Sequence, residues 1–323
     1  MQFTAKQVHA RLTQIRPLVE NSSLETLRRG QNALGELMRT IHRSRVRVKP
    51  HDFKMFPAAW VLPQDLRREG VILYLHGGGY TCGGLEYALG FGSALADECG
   101  VRVFCAAYRL APENRFPAAL EDAAAAYQYL LDKGYPAEEI SLCGESAGGG
   151  LCYSLCMYLR QRGTPLPGSI IAISPWADLT GSGESNEANR EKDVSLSNEQ
   201  LDFFARCYTD TPAEPLVSPL FGDLAGMPPS LLFAGGDEIL RSGFTTSCAS
   251  RAAAPSSLSA GNAGTPMYST ACGRTGRTWQ ASTPSSASTC PRSGSCGGCG
   301  WTTPPRSTPP PVGRAGAMCF GCR

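Results

Sequence analysis

The chain has 323 residues, 42% of them apolar, and a formal net charge of +2, which leaves room for one large α/β domain with appendages. So small a charge makes no general case for nucleic acid or an anionic membrane, and no run approaches the ~18 apolar residues of a membrane span. Residues 1–20 carry charges throughout, without the apolar stretch of an export signal, so a soluble cytoplasmic protein is expected.

In chain order, residues 1–55 read as helices with basic faces, through Leu12, Ile15 and Leu18 and then Leu24, Leu27, Leu34 and Leu37. At Val71 the pattern changes to short apolar runs. These are Val71–Leu75, Val101–Ala107, Ile140–Cys143, Ser169–Ser174 and Leu231–Ala234. Such runs fit strands buried on both faces. Helix-like stretches lie between them, notably Ala118–Lys133 and Leu151–Arg162. The alternation predicts a mostly parallel sheet with helices on both faces. The polar stretch 178–210 reads equally as part of a lid or as a solvated surface excursion. Seven of the fourteen cysteines lie in this body, in apolar settings, and read as buried free thiols.

Gly144-Glu145-Ser146-Ala147-Gly148 joins the run at Ile140 to the helix-like stretch from Leu151. In that context G-x-S-x-G predicts a sharp strand-to-helix turn with Ser146 at its tip. The flanking Gly144 and Gly148 avoid Cβ clashes, and the helix N-terminus favours a developing negative charge. Alone, the pentapeptide is a moderate signal. Paired with His76-Gly77-Gly78-Gly79 after an earlier strand, it becomes strong. Attack on an ester needs a nucleophile, a base and donors for the oxyanion. Ser146 is the expected nucleophile, and the backbone N–H groups of Gly77, Gly78 and Ala147 are the expected donors.

The chain here resembles the hormone-sensitive-lipase-like branch of the α/β-hydrolases, which includes bacterial acetyl esterases. The resemblance runs over roughly residues 55–242. It is carried by His76–Tyr80, Tyr108–Glu113, Phe116–Asp122, Gly144–Gly149, Ser174–Leu179, Val217–Leu220 and Gly236–Leu240. It implies an α/β-hydrolase fold with an N-terminal helical cap and hydrolysis of short-chain acyl esters, with no metal or cofactor. It also implies Asp237 as the acid that orients a histidine, where the residue alone would read as a helix N-cap. His76 and Gly79 then belong to the oxyanion loop as structural support, and Tyr108, Arg109 and Asp122 are structural pins. Glu145 reads equally as a polar anchor or as an exposed residue of the turn. A small-molecule ester is the implied partner, with no nucleic acid and no membrane span; a homodimer is allowed.

The family's base should follow Asp237 by about thirty residues. The four histidines are His9, His42, His51 and His76, and none follows it. Residues 243–323 contain seven arginines and seven cysteines but no Asp, Glu, Lys, His or Ile. They read as an aberrant low-complexity tail, expected to be disordered, with the last strand and helix of the fold missing. The bias fits an out-of-frame translation of a GC-rich coding sequence. A two-base shift lets Ser269–Thr270, Arg274–Thr275 and Arg277–Thr278 encode histidine. Two rival readings concern the tail: Cys296/Cys299 and Cys319/Cys322 have zinc-ribbon spacing, and the arginines could serve a basic interaction segment. A third follows plant gibberellin receptors, which resemble the same family, lack its histidine and bind a small ligand. The expected layout is therefore a helical cap over 1–55, a hydrolase core over 56–242 with an insertion near 178–210, and the tail. Without a base, this chain is expected to be a strongly impaired esterase.

Overall fold

A computed structural model describes residues 5–243 and 257–261. The elements are, in order, α1 (Ala5–Glu20), α2 (Leu24–His42), β1 (Val46–Asp52), β2 (Pro57–Pro63), β3 (Val71–Leu75), α3 (Leu85–Cys99), β4 (Arg102–Ala106) and α4 (Ala118–Asp132). They continue with β5 (Ile140–Glu145), α5 (Ala147–Gln161), β6 (Ser169–Ile173), α6 (Glu184–Ala188), α7 (Asn198–Tyr208), β7 (Ser230–Gly235) and β8 (Ser257–Gly261).

The strands form one sheet in the order β1-β2-β4-β3-β5-β6-β7-β8. The pairings β1–β2 and β2–β4 are antiparallel and all the others are parallel. Every residue of β3 is buried, as its unbroken apolar run requires of a strand covered on both faces. Its side chains alternate between two cores. Val71, Leu73 and Leu75 pack with residues of α4 and α5, such as Leu120 and Leu155. Ile72 and Tyr74 pack with Ala88 and Leu89 of α3 on the other face. The helices are capped locally: Ser23 accepts from Thr26 N–H, and Ser197 accepts from Gln200 N–H.

Two expectations change. Residues 1–55 are not helical throughout, because Val46–Asp52 is a strand. Its apolar residues, Val46 and Val48, alternate with exposed Arg47 and Lys49 at the sheet edge, where Pro50 is tolerated. The sheet also has a strand after β7. Ser257–Gly261 lies parallel to it, with Leu231 opposite Ser257 and Gly235 opposite Gly261. Ladder pairing uses backbone groups, so a short segment of small residues without proline can supply it despite its bland composition. The last helix, both C-x-x-C pairs and the rest of the tail lie outside the described residues. Of the body cysteines, five are buried, Cys207 is half-buried and Cys99 is exposed; all seven are free.

Candidate active site

β5 ends at Glu145 and α5 begins at Ala147, so Ser146 alone makes the turn. It does so at φ 53° and ψ −122°, a conformation that costs a non-glycine residue on the order of 1–3 kcal/mol. The surrounding structure holds it there. Ser146 N–H donates to Ile173 O (2.9 Å), and its carbonyl accepts from Trp176 N–H (2.8 Å) and Gly150 N–H (3.1 Å). Gly148 marks the tightest approach: a Cβ there would overlap the carbonyl oxygens of Leu75 and His76. Gly144 backs onto Gly148 in the same contact. The elbow and the start of the glycine loop are thus pressed together, backbone to backbone.

The glycine loop is shaped from below by buried polar groups. Tyr108 Oη donates to His76 O (2.6 Å), and the Tyr108 ring stacks on the His76 ring at 4.2 Å. His76 Nδ1 donates to Gly77 O (2.8 Å). Burial pushes the His76 pKa down to about 4, so the ring is neutral near pH 7. Arg109 grips Asp122 through its backbone N–H (2.8 Å) and its guanidinium, fixing the chain just beyond Tyr108.

Glu145 is the residue the sequence left undecided. It is 1% exposed, accepts from Tyr74 Oη (2.7 Å), and accepts from Gly77 N–H at 2.6 Å. Burial raises its pKa to about 7, against the opposing pull of the Gly77 and Tyr74 bonds. This alters the expected donor set. Gly77 N–H points inward to the carboxylate and is not free to meet a substrate oxygen. The N–H groups of Gly78, Gly79 and Ala147 make no hydrogen bond among the described residues.

Helices cover this loop from above. A Cβ on Gly79, which sits at φ 60°, would run into the Phe204 ring of α7. Tyr80 stacks on Tyr208 of the same helix at 3.9 Å. From the N-terminal side, Arg28 of α2 donates to Thr81 O (2.7 Å) and Ala111 O (2.8 Å) and pairs with Glu113 (2.7 Å). Arg16 of α1 donates to Asp193 O (2.5 Å).

Asp237 follows β7 by two residues, is half-buried, and has no hydrogen bond or ion pair among the described residues. Its loop is clasped by residues of the 178–210 segment. Asn189 Nδ2 donates to Gly236 O (3.1 Å) and Glu238 O (2.9 Å), Ser185 Oγ donates to Ile239 O (2.6 Å), and Asp193 accepts from Ile239 N–H (3.0 Å). No sequence signal pointed to Ser185, Asn189 or Asp193; only the fold brings them to this loop. The histidines are placed elsewhere. His42 pairs with Asp97 (2.6 Å) between α2 and α3, His51 stacks on Tyr129 at 4.3 Å, and His76 lies under the loop. The His9 side chain lies outside the described residues. His42, Asp97 and Glu98 lie close together, but Arg45 already donates to Asp97 (2.7 Å), and the group is a hydrogen-bonded cluster between α2 and α3.

Residues 72–254 match the model of a family described as alpha/beta hydrolase fold, over half of the chain. The chain belongs to that family. Its place within it is the hormone-sensitive-lipase-like branch. A solved hormone-sensitive lipase from a metagenome library superposes with a TM-score of 0.72 at 32% identity, covering 78% of this chain and 84% of that one. A solved esterase from the bacterial hormone-sensitive lipase family gives 0.65 at 36% identity, covering 75% and 82%. An acetyl-hydrolase of Streptomyces hygroscopicus is 44% identical over 57% of this chain. The match spans 62% of that relative's length, less than two thirds. This α/β-hydrolase has no helix among its described residues that is long and apolar enough to cross a membrane.

Proposed function

We propose that this α/β-hydrolase is a serine carboxylesterase for short-chain acyl esters, with Ser146 as nucleophile and Gly78, Gly79 and Ala147 as oxyanion donors. The observation that carries the reading is the elbow itself: a serine held in a strained turn beside a glycine loop with unengaged N–H groups. The likeness to an acetyl-hydrolase supports an acetyl-sized acyl group. Ser146 Oγ attacks the carbonyl carbon, the C=O electrons move to oxygen, and the N–H groups receive that charge. Collapse breaks the bond to the alcohol oxygen and leaves an acyl-serine, which water then cleaves. Asp237 is the acid of the reading, while α1, α2 and the 178–210 insertion form the cover over the acyl site. A cytoplasmic protein fits the sequence, and a homodimer is compatible with it.

No histidine follows Asp237, so the hydroxyl proton leaves to solvent rather than to imidazole. Loss of a triad member costs on the order of 10⁴–10⁶ in turnover. Hydrolysis of p-nitrophenyl acetate should therefore run close to the buffer rate, with the residual enzymatic part removed by Ser146→Ala. Robust turnover that survives this substitution defeats the assignment. The missing histidine also favours a second reading, a ligand-binding homologue that has lost catalysis. In that case short acyl compounds would bind without ever acylating the protein.

A further inference from the structure

A cleft opens at the other end of the parallel strands from Ser146. Ser146 lies past the carboxyl end of β5. Glu139, just before its amino end, lines a cavity of about 500 Å³. Six strand residues separate the two, a span of about 20 Å. The volume falls in the range of small-molecule sites, although the cleft is shallow and open to solvent. The cleft arises because Trp60 of β2 stands on the sheet face between Lys49 of β1 and Phe104 of β4, which are its register partners. α4 covers Phe104 with Tyr129 and then ends, leaving the sheet face open beyond it.

Its walls are aromatic and its polar groups are mostly donors. Trp60 and Tyr135 face each other at 6.0 Å between centroids, 29° from parallel. Trp60 Nε1 donates to Tyr129 Oη (3.2 Å), which leaves the Tyr129 hydroxyl hydrogen to point elsewhere. Neither that hydrogen nor the Tyr135 hydroxyl finds an acceptor among the described residues. Lys49 has no acidic partner among them, and Lys133 only overhangs the Tyr129 ring at 5.4 Å. Arg102 is already paired with Glu69 (2.8 Å), and Glu139 is the single carboxylate of the lining. Two exposed ammonium groups without an acidic partner among the described residues, and two hydroxyls with no acceptor there, stand beside flat rings and suit a ligand that brings acceptors, negative charge and a flat face.

We propose that this cleft binds a small planar aromatic anion, its ring against Trp60 and Tyr135 and its carboxylate or sulfonate between Lys49 and Lys133. The site is independent of Ser146 and of the esterase reading.

Calorimetric titration of the full chain with 2-naphthoate at low salt tests this. Expected is saturable one-to-one binding, weakened at least about tenfold by the double change Lys49→Glu and Lys133→Glu, and at least about tenfold weaker for neutral 2-naphthamide. Both lysines are exposed, and a thermal melt checks that the charge-reversed variant stays folded. Ser146→Ala should leave the affinity unchanged. Absence of binding, equal affinity for the amide, insensitivity to the charge reversal, or loss of binding in Ser146→Ala would each overturn the proposal.

Discussion

The two sides of the serine elbow are built differently. On the β3 side, Leu75, His76 and Gly77 are fixed by backbone contact with Gly148 and by Glu145, His76 and Tyr108, all of them within the core. On the β7 side, Asp237 itself has no partner among the described residues, and its loop is held by side chains of the 178–210 segment. In the proposed reading the oxyanion donors all fall within residues 76–148, whereas the loop of the proposed acid is held by a segment some fifty residues away in the chain. On that reading, the geometry proposed to receive charge would persist where proton transfer fails.

Perturbing the donor side should have the largest effect. Gly148→Ala forces a methyl group into the Leu75 and His76 carbonyls and should cost at least about 3 kcal/mol in a urea titration. A near-neutral result would mean the elbow and the glycine loop are not in backbone contact.

Glu145→Gln should change the pH dependence of stability. In the folded chain Glu145 keeps its proton up to about 7, against an ordinary 4.5. Its contribution thus falls as pH rises from about 4.5 through 7, the sense expected of a buried acid. His76 works oppositely: with its pKa lowered from 6.5 to about 4, its contribution rises with pH across that window. Glu145→Gln removes the first trend and leaves the His76 one in place, so relative to wild type the variant should gain on the order of 3 kcal/mol between pH 4 and pH 8. Parallel stability curves for the two proteins would refute a buried, proton-holding Glu145.

On the acid side, Asp193→Ala removes the acceptor of the Ser195, Leu196 and Ile239 N–H groups and should cost about 2 kcal/mol. It should also speed amide exchange at Ile239 while leaving Gly77 protected, which separates the two halves directly. Smallest of all, Arg190→Ala breaks an exposed pair with Glu199 within the insertion and should shift stability by less than about 0.5 kcal/mol.

What the sequence disclosed follows the same division. β3 to β7 were legible because parallel strands covered on both faces read as apolar runs. β1 was not, since only two apolar residues, Val46 and Val48, alternate with Arg47 and Lys49 before Pro50, too short a pattern to stand out after two basic helices. β8 was hidden because Ser257-Leu258-Ser259-Ala260-Gly261 has no apolar run to mark a strand, and what places it is backbone pairing with β7. Ser146 and the glycine loop stood out because their turn chemistry is local. The inward turn of Gly77 N–H was not readable, since it depends on Glu145 folding back beneath the loop rather than facing solvent. The clasp by Ser185, Asn189 and Asp193 is wholly tertiary, and the polar composition of the insertion gives no hint of it.

Reaction with a fluorophosphonate, read by peptide mass spectrometry, tests the esterase site most directly. Expected is one slow adduct, confined to the Ser146 peptide, faster at higher pH and absent in Ser146→Ala. An unmodified Ser146 peptide with adducts on other serines, or no adduct at any pH, would contradict it.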